Sequence, residues 1–275
     1  MSMKRIFVPL LFVCLFLLPR SSSAVTSLTA SGCSVSTVGY LSDLVREYEK
    51  ETGVKVLVRG GGSLLGLTDL SSNRVDFAAS CKGKSPDDPA DFEFIPVAWD
   101  ALVFIVHKSN PVNNISPKIV REIYEGKIMN WKQLGGPDLK VKSYISTPKG
   151  MGGIGEALEK MILRGKAPLS CGNSSMQASS VAIWEQLVEN NPEGFASTGF
   201  ASARKRNVKM LEVNGVLPSR KNIVSGKYPF KRPLYLVVAK SARPEVRKFI
   251  SFVLSKRGQG LIASYGIPPL SSIKR

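Results

Sequence analysis

The amino-acid sequence predicts an α/β fold with a parallel sheet, and three observations support that prediction. Strand patterns at 25–29, 54–58 and 75–80 alternate with helical patterns at 38–52 and 64–73. Each predicted strand is a short apolar or alternating run, and the first predicted helix has apolar residues along one side. The connections between them are short and polar. This order of strand, helix and strand is typical of parallel sheets covered by helices.

The first predicted strand and helix are joined by a small, polar loop at 30–37. It contains Cys33, Ser34 and Ser36. The two serines are candidate donors to a bound anion, and the alternative is that they only cap the helix that follows.

A glycine-rich loop follows the second predicted strand. Gly60, Gly61 and Gly62 lead into Ser63 at the start of the next helix. Glycines allow close approach of the backbone, and a helix N-terminus attracts negative charge, so this loop is a candidate anion site. A plain strand-to-helix turn is the alternative. Because ligands of open α/β sheets lie beyond the carboxyl ends of the strands, we expect Cys33, Gly62, Ser63 and Cys81 to meet there.

The first 24 residues have the features of a secretory signal peptide. Lys4 and Arg5 precede an apolar run at 6–18, which is too short to span a bilayer comfortably, and small residues precede a cleavage position after Ala24. We therefore expect an exported, periplasmic protein. The net charge of +17 favours anionic partners, and the scattered basic residues argue against nucleic acid.

Cysteine usage is unusual for an exported protein. Cys14 lies in the signal, which leaves Cys33, Cys81 and Cys171. An odd number of thiols in an oxidising compartment leaves at least one unpaired. No Cys-x-x-Cys spacing supports a redox motif, and the sequence indicates a binding protein without a cofactor rather than an enzyme.

The rest of the chain continues the α/β pattern. Its predicted elements are strands at 101–107, 141–146, 195–200 and 234–239, and helices at 118–125, 154–163, 178–189 and 244–254. A second glycine-rich loop at 147–153 opens the helix at 154–163 and contains Lys149, Gly150, Met151 and Gly152.

Several segments together resemble the PstS-like phosphate-binding proteins of ABC transporters. They are the segments 60–63, 75–80, 109–112, 123–131, 225–229, 232–235 and 252–255. The resemblance implies a two-lobed, hinged periplasmic-binding-protein fold of the Venus-flytrap type II class. Lobe I would contain 25–103 and 236–275, lobe II would contain 104–235, and two crossovers would form the hinge.

The anion-binding residues of that family match this chain poorly. Ser63 matches the family's serine, whereas Cys81 replaces its carboxylate. In the family's Arg-x-x-Gly-Ser-Gly-Thr loop, Thr147, Met151 and Gly153 stand where the arginine, serine and threonine would be. Each charge-assisted hydrogen bond to phosphate is worth about 1.5–3 kcal/mol. Because this chain lacks residues that would make several of these bonds, the resemblance does not imply tight phosphate binding. Lys149 is a candidate replacement for the missing positive charge.

Sulfur-containing side chains, Cys81 and Met151, stand where the family has a carboxylate and a serine hydroxyl. Soft ligands such as thiolates select thiophilic centres. The sequence thus predicts capture of an arsenic oxyanion, arsenate or arsenite, through Cys33, Cys81 and Cys171. Phosphate binding, a Cys/Met site for Cu(I) or Zn(II), and a Cys33–Cys81 disulfide are the alternatives. The expected partner is a membrane sensor histidine kinase of a two-component system or an ABC permease, and the protein is expected to be a monomer. The candidate ligand-binding residues are Cys33, Ser34, Ser36, Gly62, Ser63, Cys81, Lys149, Gly150, Met151, Gly152 and Cys171.

Overall fold

The computed structural model describes residues 27–145, 152–166, 175–177 and 180–272. The strands are β1 (Ser27–Gly32), β2 (Lys55–Gly60), β3 (Phe77–Ser80), β4 (Phe92–His107), β5 (Asn114–Ile115), β6 (Lys142–Ile145), β7 (Ser175–Gln177), β8 (Gly194–Gly199), β9 (Val208–Met210), β10 (Glu212–Val213) and β11 (Lys231–Ala239). The helices are α1 (Ser34–Ser36), α2 (Ser42–Thr52), α3 (Ser63–Ser71), α4 (Pro117–Tyr124), α5 (Gly153–Met161), α6 (Val181–Glu189), α7 (Phe200–Ala203), α8 (Arg220–Val224), α9 (Pro244–Leu254) and α10 (Lys256–Ser264). A π-helical turn, Thr37–Leu41, joins α1 to α2.

Most of the strands form one large mixed sheet. Its order is β2-β1-β3-β11-β4-β8-β6-β7, with β9 paired to β4. The strands β1, β2 and β3 are parallel, as the alternation of strands and helices predicts. Gly32 lies opposite both Gly60 and Ala79, so the three carboxyl ends are level at one edge.

The long strand β4 joins two halves of the sheet. Its residues 92–101 pair with β11, and its residues 102–106 pair with β8. Beyond β8 the strands β6 and β7 are again parallel. This arrangement is the two-lobed α/β fold that the resemblance implies.

Helices cover the sheet through the apolar side chains that the pattern predicts. Leu44, Val45 and Tyr48 of α2 are buried, and Gly53 ends this helix in the left-handed conformation with φ 72°. From α9, Phe249 packs against Tyr48 with ring centroids 5.0 Å apart. These contacts form part of the hydrophobic core on which the strand ends rest.

Several elements differ from the predicted ones, and the short elements β5, β7, β9, β10, α7 and α8 have no predicted counterpart. The segment 30–37 is not a loop, because β1 extends to Gly32 and helical structure begins at Ser34. Strand β4 begins at Phe92 rather than near 101, since β11 pairs with residues 92–101 over its full length. The helix Lys256–Ser264 follows α9 directly and has no counterpart among the predicted elements. No helix in the described ranges combines the length and apolar character that crossing a bilayer requires.

Candidate functional site

The carboxyl ends of β1, β2 and β3 form one wall of a small cavity. The backbone amide of Cys33 donates to Ala79 O (2.8 Å), and that of Gly62 donates to Gly32 O (2.9 Å). These bonds hold the three strand ends side by side. We call this wall the strand wall; its residues are Cys33, Ser34, Gly62, Ser63 and Cys81.

The opposite wall is formed by the first residues of α5 and α6. We call it the helix wall; its residues are Gly152, Gly153, Ile154, Ser180 and Val181. The hydroxyls of Ser34 and Ser180 lie 2.5 Å apart, so one hydrogen bond crosses between the walls. The space between the walls is about 10 Å³, the room that one water molecule needs.

The N-terminal ends of α3 and α5 meet at this cavity. A side chain on Gly152 would lie 3.1 Å from Leu64 Cγ and 3.6 Å from Ser63 Cβ. The first amide groups of a helix have no acceptor within the helix, and they carry partial positive charge. Two such ends in contact create a positive potential that suits an oxyanion.

Cys81 belongs to the strand wall and lies next to Gly153 of the helix wall. Its backbone amide donates to Ser63 Oγ (3.0 Å), and Ser63 Oγ is 3.5 Å from Cys81 Sγ. The hydrogen bond from the Cys33 thiol lowers the pKa of Cys81 to about 6, and this effect with the charge of Arg232 outweighs the burial of the thiol. A lowered pKa favours the thiolate, which is the nucleophilic form of cysteine.

The pKa of Cys33 shifts in the opposite direction. Its side chain is buried, and burial followed by the hydrogen bond to Cys81 raises its pKa well above the usual value. Both cysteines are free thiols. The two opposite shifts make Cys81 the thiol of this pair that ionises first.

A buried ion pair between Arg232 and Asp100 contacts the backbone of Cys81, and neither residue is among the site residues that the sequence predicts. Arg232 donates to Asp100 through Nε (3.1 Å) and Nη2 (2.9 Å). Its Nη1 reaches the carbonyl oxygens of Cys81 (3.4 Å) and Gly153 (3.2 Å). Asp100 also accepts from the Ala201 amide (2.9 Å). The sequence holds one signal for this pair: Asp100 is an ionisable residue within an apolar run, whereas Arg232 lies beside Lys231 at the start of one.

A second cavity of about 130 Å³ lies on the other side of Cys81, beside Lys82, Lys160 and Arg232. The Lys82 ammonium donates to Gly83 O, Ser85 Oγ and Asp88 Oδ2 (2.6–3.2 Å), which uses its three protons. Lys160 pairs with Glu156 at 2.7 Å. These cations are already paired, so the cavity offers an approach to Cys81 rather than an anion site.

The structure brings most of the described candidate residues together. Cys33, Ser34, Gly62, Ser63 and Cys81 line the small cavity, and Gly152 lies so near Ser63 that an added Cβ atom would be 3.6 Å from Ser63 Cβ. Ser36 is buried beside Tyr40, and neither hydroxyl makes a well-formed hydrogen bond to a described group. Among the described residues, no three His, Cys, Asp or Glu side chains are grouped as a metal site would need. Four candidates, Lys149, Gly150, Met151 and Cys171, lie outside the described residues.

The family model that matches this chain is the PBP superfamily domain, and it covers residues 19–257. The chain belongs to the PBP superfamily. This match confirms the resemblance to PstS-like solute-binding proteins.

Known members of the PBP superfamily resemble the chain over most of its length. The phosphate-binding protein PstS of Borreliella burgdorferi is 25% identical over 244 residues, covering 86% of this chain and 87% of that protein. SphX of Synechococcus elongatus is 27% identical over 279 residues, covering 93% and 81%.

A solved structure supports the fold. It is a Clostridium perfringens protein assigned as the substrate-binding protein of a phosphate ABC transporter, with bound phosphate. Its TM-score is 0.77 at 22% identity, and the match covers 89% of this chain and 100% of that one.

Proposed function

We propose that this protein is a periplasmic receptor that captures an arsenic oxyanion, in the trivalent form arsenite, through Cys33 and Cys81. One observation carries the proposal: two buried free thiols line one cavity where the N-terminal ends of two helices meet. Soft thiolates favour thiophilic centres, and two adjacent thiols suit trivalent arsenic.

The chemistry is a condensation without any change of oxidation state. The Cys81 thiolate attacks arsenic in As(OH)₃, an As–S bond forms, and hydroxide leaves. The Cys33 thiol then forms a second As–S bond, and its proton leaves with a second hydroxyl group as water. Cys171, outside the described residues, is the proposed third thiol, and it would replace the last hydroxyl group in the same way.

The cavity requires the walls to separate before the ligand enters. A space of about 10 Å³ holds one water molecule and no tetrahedral or pyramidal oxyanion. We therefore propose that lobe I (25–103 and 236–275) and lobe II (104–235) open at the hinge and close on the ligand. The ligand shifts this equilibrium only by its preference for the closed form.

Export and partners follow from the same proposal. Residues 1–24 would be removed as a signal peptide, and the mature monomer would act in the periplasm. Its membrane partner would be a sensor histidine kinase or an ABC permease. The neighbouring genes distinguish these, because a permease with an ATPase indicates transport and a kinase indicates sensing.

Phosphate is the second candidate ligand, because PstS and SphX relatives span most of the chain. Ser63 and the two helix N-termini would supply its hydrogen-bond donors. Among the described residues, however, both buried cations beside Cys81 are already paired. Lys82 donates to Asp88, and the Arg232 guanidinium donates to Asp100 and to two carbonyl oxygens. The thiols consequently favour arsenite over phosphate.

Calorimetry of the reduced protein tests the proposal. The titrants are arsenite, arsenate, phosphate and Cu(I), each applied to the wild type and to a variant with serine at Cys33, Cys81 and Cys171. We expect arsenite to bind more tightly than phosphate, and the serine variant to lose arsenite binding. Phosphate binding that is tight and unchanged in the serine variant, without arsenite binding to the wild type, would contradict it.

A further inference from the structure

At Gly153 the two walls leave no room for a side chain. A Cβ atom built on Gly153 would overlap Cys81 Sγ, far inside van der Waals contact, and would lie 3.1 Å from Ser63 Oγ. The sulfur of Cys81 therefore occupies the volume in which a side chain at position 153 would begin.

Backbone conformation does not explain a glycine at this position. Gly153 is the first residue of α5, and its φ is not in the left-handed region, in contrast to Gly152 with φ 61°. Alanine would favour the helix by about 1 kcal/mol if nothing lay against it. The obstacle to a side chain at position 153 is the strand wall, where Cys81 and Ser63 lie against it.

The contact is fixed in place by Arg232. Its Nη1 donates both to Cys81 O and to Gly153 O, so one buried guanidinium group holds the two chain segments against each other. Asp100 holds the guanidinium in turn. A larger residue at 153 cannot move away from Cys81 without breaking these bonds.

We propose that Gly153 is a specificity-determining residue, because its missing side chain is what lets a sulfur atom at position 81 lie between the walls when they are together. A side chain at 153 would push the sulfur out of the cavity or hold the walls apart. This inference rests on the proposed function for the ligand, but the steric coupling between positions 81 and 153 does not depend on the ligand.

A double-mutant cycle in thermal unfolding of the mature reduced protein tests the coupling. Overpacking of a buried contact lowers Tm by several degrees in a protein of this size, so Gly153→Ala should lower Tm by roughly 3–8 °C. In the Cys81→Ala background the same substitution should lower Tm by less than half as much, because the overlapping sulfur is gone and only the tight contacts to Ser63 Oγ (3.1 Å) and the Cys81 carbonyl carbon (3.2 Å) remain.

Gly260→Ala is the matched control. Gly260 lies within α10, has no atom within 4 Å of an added Cβ and has an ordinary φ, so alanine there should keep or raise Tm. An equal loss of Tm from Gly153→Ala in both backgrounds would overturn the inference.

Arsenite titration of Gly153→Ala connects the coupling to the ligand. We expect its affinity to fall at least tenfold, while Gly260→Ala keeps the wild-type affinity. Undiminished arsenite binding by Gly153→Ala would overturn the specificity role. Failure of the wild type to bind arsenite would instead contradict the proposed function. The double-mutant cycle in unfolding would then still test the steric coupling between positions 81 and 153.

Discussion

The two walls of the cavity contribute different things. The strand wall presents the reactive side chains, the thiols of Cys33 and Cys81 and the hydroxyl of Ser63. The helix wall presents backbone at Gly152 and Gly153, apolar side chains and one serine hydroxyl. The difference indicates that the strand wall supplies the chemistry, whereas the helix wall supplies the fit and closes the cavity.

Removing the reactive thiol should have the largest effect. We expect Cys81→Ser to weaken arsenite binding at least ~1,000-fold, about 4 kcal/mol, because an As–S bond is lost. Ser34→Ala changes the same wall without removing a thiol and should cost less than about threefold. Calorimetry measures both. Comparable losses in the two variants would show that the thiol has no special role on the strand wall.

Breaking the ion pair that links the walls should come next. Asp100→Asn leaves the buried guanidinium of Arg232 without its counter-charge, so the free energy of unfolding should fall by about 3 kcal/mol. Glu93→Gln is the control, because its pair with Arg247 is about one-third exposed on both sides and should cost less than about 1 kcal/mol. Urea unfolding gives both values, and equal losses would refute the linking role.

The sequence predicts the strand wall well because its geometry follows from local patterns. Parallel strands end at a common edge, so the residues after each strand, Cys33, Gly62 and Cys81, meet without any knowledge of the rest of the chain. Ser63 follows from the same loop. The extension of β1 to Gly32 shifts no residue away from that edge.

The ion pair between Asp100 and Arg232, which contacts the site, cannot be predicted from local patterns. Asp100 and Arg232 lie directly opposite each other only because β11 pairs with β4 across more than one hundred residues. An ionisable residue in an apolar run indicates burial, but it does not identify its partner. The close packing of Gly153 against Cys81 likewise depends on how the two walls pack against each other. Local sequence patterns do not predict this packing.

The ionisation of Cys81 should make stability depend on pH. Its pKa falls from the ordinary 9.0 to about 6 on folding, so between about pH 6 and 9 the unfolded chain binds more protons than the folded one. The contribution of Cys81 ionisation to the unfolding free energy therefore rises with pH through this window. It is complete above pH 9 and is lost as the pH falls through 6. The raised pKa of Cys33 keeps that thiol protonated throughout.

Urea unfolding at pH 5.5, 7 and 8.5 measures this effect. The wild type should gain more stability over that range than Cys81→Ala, which has no thiol to ionise at this position. Identical pH dependence in the two proteins would mean that no thiolate is present on the strand wall.

The smallest effect is expected from the serine of the helix wall. Ser180→Ala removes the hydrogen bond to Ser34 and the cap of α6, so it should cost about 1 kcal/mol of stability but less than about threefold in arsenite affinity. Ser116→Ala removes a comparable cap from α4 and is its control in urea unfolding. An affinity loss above tenfold for Ser180→Ala would show that the helix wall contributes chemistry as well as fit.

X-ray absorption at the arsenic edge of the arsenite-loaded, reduced protein tests the central claim most directly, since it reports which atoms are bonded to arsenic. We expect two or three sulfur neighbours in the wild type and one fewer in Cys81→Ser wherever arsenic is retained. A first shell of oxygen alone would contradict capture through the thiols.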